Sequence, residues 1–144
     1  MRSVLAFMFG SGQYKSAAAN LGLLIGRLGF GLMLAFLHGF GKLPPAEGFV
    51  GGVASLGFPA PALFAWAAAL AEGIGSLLVA VGLLTRPAAL TVAITMAVAA
   101  FMMHAPDPLA KKELALVYLC FALVFLLTGS GRFSLDALIH RGRN

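Results

Sequence analysis

Four long stretches of this chain are almost free of charge and of proline, and runs of that kind have few structures open to them. They cover 21–41, 62–84, 88–105 and 114–128, and together hold one arginine, Arg27, and one glutamate, Glu72. Each is close to the roughly 20 residues that cross a bilayer as a helix. The last is the shortest, and it reaches full length when Glu113 marks one membrane edge and Gly129 to Gly131 the other, giving 113–130. Composition leads to the same solvent. Hydrophobic residues make up 60% and charged residues 10% of the chain, where a soluble domain has roughly a quarter charged. A chain of 144 residues has a large surface for its volume. So few charges cannot cover it, and the exterior faces lipid. A typical water-soluble enzyme is excluded.

The breaks between the runs have local causes. Pro44 and Pro45 follow Lys42, and Gly57-Phe58-Pro59-Ala60-Pro61 precedes the second run, because proline opens helices and breaks their interiors. Arg86-Pro87 predicts a very short hairpin between spans two and three. Pro106-Asp107-Pro108 ends span three, and Lys111-Lys112 leads into span four. The first connection is the longest, and its Phe49, Phe58 and glycines predict a partly buried re-entrant or interfacial segment. Four spans with short connections predict a single all-α domain, an integral membrane four-helix bundle. Gly22, Gly26 and Gly29 on span one, with Gly73, Gly75 and Ser76 on span two, are the expected seams.

Orientation follows from the basic residues outside the spans. Arg2, Lys15, Arg86, Arg132, Arg141 and Arg143 fall on one side, and Lys42, Lys111 and Lys112 on the other. Six against three predicts both termini in the cytoplasm. Met1 to Phe9 has too short an apolar core for a signal peptide and reads as a retained interfacial helix. Over 132–144, Ser134 caps a helix whose Leu135, Leu138 and Ile139 share a face, with Asp136 in its first turn and Arg141 in its last. That predicts an amphipathic helix on the inner leaflet, with Arg86, Arg132, Ser134, Asp136 and Arg141 facing lipid headgroups or a cytoplasmic partner. The net charge of +5 does not point to nucleic acid, since no basic stripe with interleaved aromatics is present.

Ionisable groups at membrane depth carry the functional information, each costing about 2.5–3.5 kcal/mol at a helix centre. Arg27 lies roughly 9 Å and Glu72 roughly 18 Å from the cytoplasmic surface at 1.5 Å per residue. An extended arginine closes much of that gap, so an Arg27–Glu72 pair is expected inside the bundle. Regular helix geometry puts Arg27, Gly31, His38 and Lys42 on one stripe of span one, and Glu113 and Cys120 on one face of span four. Turned inward, these stripes make an outer layer of His38, Lys42, His104 and Glu113, a middle layer of Glu72 and Cys120, and an inner Arg27. A plainer reading stands beside each. A buried Arg–Glu pair also serves as structural glue, Lys42 and Glu113 as interfacial anchors, His104 as a snorkelling residue, and Cys120 as a small packing residue. With one cysteine, no disulfide within the chain is open to it and no cysteine-rich metal site is present. Walker, dinucleotide, HExxH and GxSxG signatures are absent from the sequence.

Taken in order, Arg27-Leu-Gly-Phe-Gly, His38-Gly39-Phe-Gly-Lys42-Leu43, Gly57-Phe58-Pro59, Glu72, Gly82-Leu-Leu-Thr85-Arg86, Glu113-Leu-Ala-Leu-Val-Tyr118 and Gly131-Arg132-Phe-Ser134-Leu135-Asp136 resemble the DoxX family of small bacterial membrane proteins. The resemblance runs from about Leu21 to Leu138. It implies a four-helix protein of the cytoplasmic membrane, some of whose relatives are subunits of redox assemblies, among them thiosulfate:quinone oxidoreductase and complexes that handle oxidative stress and thiols. Arg27, His38, Lys42, Glu72, Arg86, Glu113 and Asp136 sit where the family pattern has polar residues.

The expected function is a membrane redox subunit whose bundle holds a quinone or lipid-like molecule. Arg27 and Glu72 orient its head and His38 is available for proton transfer. Electrons then come from a partner protein or a bound cofactor, since the chain itself has no cofactor motif and no metal site. A non-catalytic scaffold presenting the basic tail and a small-molecule transporter are the alternatives, and a homo-oligomer is among the expected partners.

Overall fold

The computed structural model describes residues 14–141 together with Phe7 and Gly10, the side chains of His140 and Arg141 excepted. The helix expected over 1–9, Phe7 aside, and the basic side chains of Arg2, Arg141 and Arg143 lie outside the described residues. Among the described residues from 14 onward there are six helices: α1 (Ala17–Lys42), α2 (Glu47–Ser55), α3 (Pro61–Val81), α4 (Thr85–Met103), α5 (Leu109–Thr128) and α6 (Leu135–Arg141). Among the described residues α1, α3 and α4 are each long and apolar enough to cross a membrane. α5 is 20 residues long, but Lys111, Lys112 and Glu113 crowd its start.

The helix ends follow from the residues that occupy them. Ser16 caps α1, its hydroxyl accepting from Ala19 N at 3.3 Å. Pro61 is the first residue of α3, where its missing N–H costs nothing. Gly82, left-handed at φ 71°, stops α3. The turn to α4 is therefore Gly82 to Leu84, three residues before the expected Arg86-Pro87 hairpin. Arg86 and Pro87 instead lie in the first turn of α4, which tolerates proline. α5 starts at Leu109, so both lysines are helical. Ser134 caps α6 as expected, accepting from Ala137 N at 3.2 Å.

Each of α1, α3 and α4 contains one π-helical turn, at Ala35–Gly39, Ala71–Gly75 and Ala99–Met103. Such a turn accommodates an extra residue and rotates everything beyond it by about one residue's 100°. Gly31 and Gly39 would lie about 80° apart on a regular helix. The π turn brings them nearly into line, and both are buried against α3. A Cβ on Gly31 would meet Ser76 O and Ala80, and one on Gly39 would meet the backbone of Glu72 and Gly73. The seam is thus Gly31 and Gly39, not the expected Gly22 and Gly29, which have open space around them. On α3, Gly75 does pack as expected, against Thr91 and Val92 of α4.

α1 packs on α3 and α5, and α4 on α3 and α5. The core they enclose holds Phe30, Leu34, Val79, Val92, Met96, Tyr118, Ala122 and Phe125. Phe30 is its centre, edge-on to Tyr118 at 5.7 Å and to Phe125 at 5.4 Å. The outer faces are apolar as well, with Ile25, Phe36, Leu37, Leu63, Ile94 and Leu127 all more than half exposed. Gly39→Ala, which forces α1 off the α3 backbone, is expected to lower stability by about 1–3 kcal/mol, and Gly22→Ala to leave it unchanged. Thermal unfolding in detergent compares the two.

Candidate functional site

Glu72 sits in the π turn of α3, eleven residues after Pro61, and is 3% exposed. A carboxylate there needs a partner, because burying an unpaired charge costs several kcal/mol. The partner is Lys42, the last residue of α1, whose Nζ donates to Oε1 at 2.8 Å and Oε2 at 2.6 Å. The ammonium also lies 5.3 Å from the ring centre of Phe49 on α2. Two of its three N–H groups are directed to Glu72, leaving one donor. The lysine side chain keeps 35% of its exposure while the glutamate keeps 4%.

That remaining exposure faces a cavity of about 380 Å3. α2 covers it with Phe49 and Val53, and Leu56 and Phe58, just beyond the helix, add to the same side. Its walls are Phe64, Ala67, Ala68 and Ala71 of α3, and Thr91, Ile94, Thr95, Val98 and Met103 of α4. The two wall hydroxyls are already engaged, Thr91 with Ala88 O at 2.8 Å and Thr95 with Thr91 O at 3.0 Å. Lys42, Glu72 and His104 are the charged or titratable residues that line it. Phe64 and Ile94 are exposed on the apolar outer surface, so the cavity opens sideways there. α2 is the partly buried segment expected of the first connection, and closing this cavity is what it does.

His104 stands at the rim, its Nδ1–H donating to Asp107 Oδ2 at 2.8 Å. Lys111 Nζ is 3.6 Å from the other Asp107 oxygen. The hydrogen bond from His104 does most to hold the Asp107 carboxyl below the usual aspartate range; desolvation opposes it, and the charges of Lys111 and His104 add to it. The stabilisation is therefore present above that range and is lost as pH falls through the lowered value.

Arg27 is elsewhere. It is fully buried and donates to Val79 O at 3.4 Å, Ala80 O at 3.2 Å and Phe133 O at 2.5 Å. The first two are carbonyls at the C-terminus of α3, the negative end of that helix. This corrects the expected Arg27–Glu72 pair. Each charge takes the partner nearest its own end of the helices, and Lys42 is already there for Glu72. Asp136 lies close enough for its charge to act on Arg27. It accepts from Leu84 N at 2.9 Å, Thr85 N at 3.1 Å and Thr85 Oγ1 at 2.9 Å, the positive end of α4. It also holds Leu84 in its left-handed conformation at φ 49°, a strained state for a leucine. Ser134 bonds Ser130 Oγ at 2.9 Å and Gly131 O at 2.8 Å. Asn20, buried and missed in the sequence because asparagine carries no charge, takes the N–H of Arg132 at 2.7 Å. The start of α6 is thus stapled into the α3–α4 turn.

Several expected placements change accordingly. Ser134, Asp136 and Arg86 are buried in the fold rather than offered to a partner. The Arg86 guanidinium donates to Phe7 O and, at 3.1 Å, to Leu127 O, and stacks 3.9 Å from the Phe7 ring. Arg132 is exposed. His38 is rotated off the Arg27 stripe by the π turn and packs edge-on to Tyr118 at 5.9 Å, outside the cavity lining. Glu113 and Cys120 do share a face of α5, but an exposed one, bordering a shallow groove with Leu116 and Phe121. Asp136→Ala leaves Arg27 without its counter-charge and strands two N–H groups. It is expected to destabilise the protein by about 3–5 kcal/mol, against no measurable loss for Arg132→Ala, both read from unfolding in detergent.

The family model described as DoxX matches residues 22–105. No curated protein and no solved structure matches the chain. The matched stretch is more than half of the chain. It includes Arg27, all three π turns, α2, and both partners of the Lys42–Glu72 pair. The chain belongs to the DoxX family.

Proposed function

We propose that this membrane protein is a four-span subunit of a redox assembly in the bacterial cytoplasmic membrane, and that its cavity binds a quinone-like amphipathic molecule. The observation that carries this reading is one ion pair, with a lysine donor to spare, set into the wall of an apolar cavity that opens on the lipid-facing surface. A flat apolar ring fits between the alanines of α3 and the methyl-bearing residues of α4. Its carbonyl oxygen takes the third N–H of Lys42. A quinone that receives two electrons also takes up two protons. In this reading a partner protein supplies the electrons, and the chain supplies the dry pocket and the groups that hold and move protons.

The transmembrane arrangement belongs to the same proposal. α5 has about 30 Å of helix and closes the bundle as its fourth span, its charged start at the outer membrane edge. The excess of basic residues near the termini then places both termini in the cytoplasm. α6, buried through Asp136 and Ala137 and exposing Leu135, Leu138 and Ile139, lies on the inner leaflet. The Lys42–Glu72 end of the helices and α2 belong to the outer half of the membrane.

Titration calorimetry of the purified protein with a short-chain benzoquinone tests the reading. Lys42→Met is expected to weaken binding about 10- to 100-fold, the loss of a charged hydrogen bond. Because a lone buried carboxylate also destabilises the fold, the decisive variant is Lys42→Met with Glu72→Met, which removes both charges. That double variant is expected to unfold near the wild-type temperature and to have lost the quinone. Unchanged binding in it would refute the assignment.

A further inference from the structure

The cavity has a second polar point, away from the ion pair. His104 follows directly on the π turn of α4, its N–H bonded to Ala99 O at 2.9 Å. Its side chain lines the cavity yet remains 40% exposed. One ring nitrogen is committed: Nδ1–H donates to Asp107 at 2.8 Å. Asp107 is itself held by Lys111 from α5, and Lys112 Nζ ties down the same turn through Ala105 O at 3.2 Å. An imidazole oriented through one nitrogen by a carboxylate has the other, Nε2, free to take up and release a proton. α2 packs closely on this end, where a Cβ on Gly52 would lie 3.3 Å from Met103 Cε.

We propose that His104, positioned by Asp107, is the proton gate of the cavity, carrying protons between water at the α2 end and an oxygen of the bound molecule. This rests on the reading of the cavity given above. A proton passes from water to Nε2 and from Nε2 to the ligand oxygen, and returns by the reverse steps. The charged and titratable groups around the path are Asp107, Lys111 and Lys112 on the α4–α5 side, Lys42 and Glu72 across the cavity, and Glu47 in the first turn of α2. Lys42 and Glu72 neutralise each other, so they hold the ligand head, and the imidazole does the exchange.

A hydroxynaphthoquinone, whose visible spectrum changes when its hydroxyl ionises, is the probe. The full-length protein in lipid nanodiscs is loaded with it and subjected to a pH jump in a stopped-flow cell. In the wild type the bound probe is expected to follow the jump. In His104→Ala, read at saturating probe, it is expected to respond at least tenfold more slowly, and added imidazole is expected to restore the rate. Asp107→Asn, which leaves the ring but loosens it, is expected to slow the response about threefold or more. A wild-type rate in His104→Ala, or a slow rate that imidazole does not restore, overturns the proton gate and leaves the cavity reading standing. Failure of the wild type to bind the probe overturns both.

Discussion

Glu72 cannot stand alone. A carboxylate in the interior of an apolar helical protein needs a counter-charge within hydrogen-bonding distance, and here that requirement organises one whole end of the structure. Lys42 satisfies it only because α1 and α3 approach backbone to backbone at Gly39 and Gly73. That approach depends on the π turns that set Gly31 and Gly39 on one line. The chain leaving Lys42 then folds back as α2, whose Phe49 lies under the ammonium. Pairing, close packing and the cover of the cavity are one construction.

The opposite end solves the same problem differently. Arg27 and Asp136 take up the ends of the α3–α4 hairpin, the cation on the carbonyls that close α3 and the anion on the amides that open α4. Each charge sits where the helix dipole favours it. Neither reaches the cavity. A division of labour follows, with one buried cluster holding the start of α6 to the bundle and the other facing a space that a ligand can enter.

Much of this was legible in the sequence. The charge-free runs marked the helices, the prolines and Gly57 marked their breaks, and Arg27, Glu72 and His38 stood out as the polar groups worth explaining. What could not be read was which of them meet. The expected stripe of Arg27, His38 and Lys42 assumed a regular helix, and a single π turn at Ala35–Gly39 sends the three side chains to three different neighbours. π turns leave no composition signal, since Ala-Phe-Leu-His-Gly suits an α-helix equally well. The burial of Ser134 and Asp136 was missed for another reason. Ser134 and Asp136 look like surface polar residues of a short helix until the α3–α4 turn, with its unsatisfied amides, is placed beside them. Glu113 and Cys120 were correctly put on one face, but periodicity does not say whether a face of a helix in lipid points inward.

The central claim is that the space beside Lys42 and Glu72, not the lipid-facing surface at large, is where an amphipathic ring binds. Photolabelling in native membranes with an azido-benzoquinone, followed by peptide mass spectrometry, tests it most directly. Adducts are expected on α2 and on the facing sides of α3 and α4, at residues such as Phe49, Thr95 and Met103, and should be competed away by excess unlabelled quinone. Labelling spread over exposed residues such as Val117 and Cys120 of α5, with no competition, would contradict it.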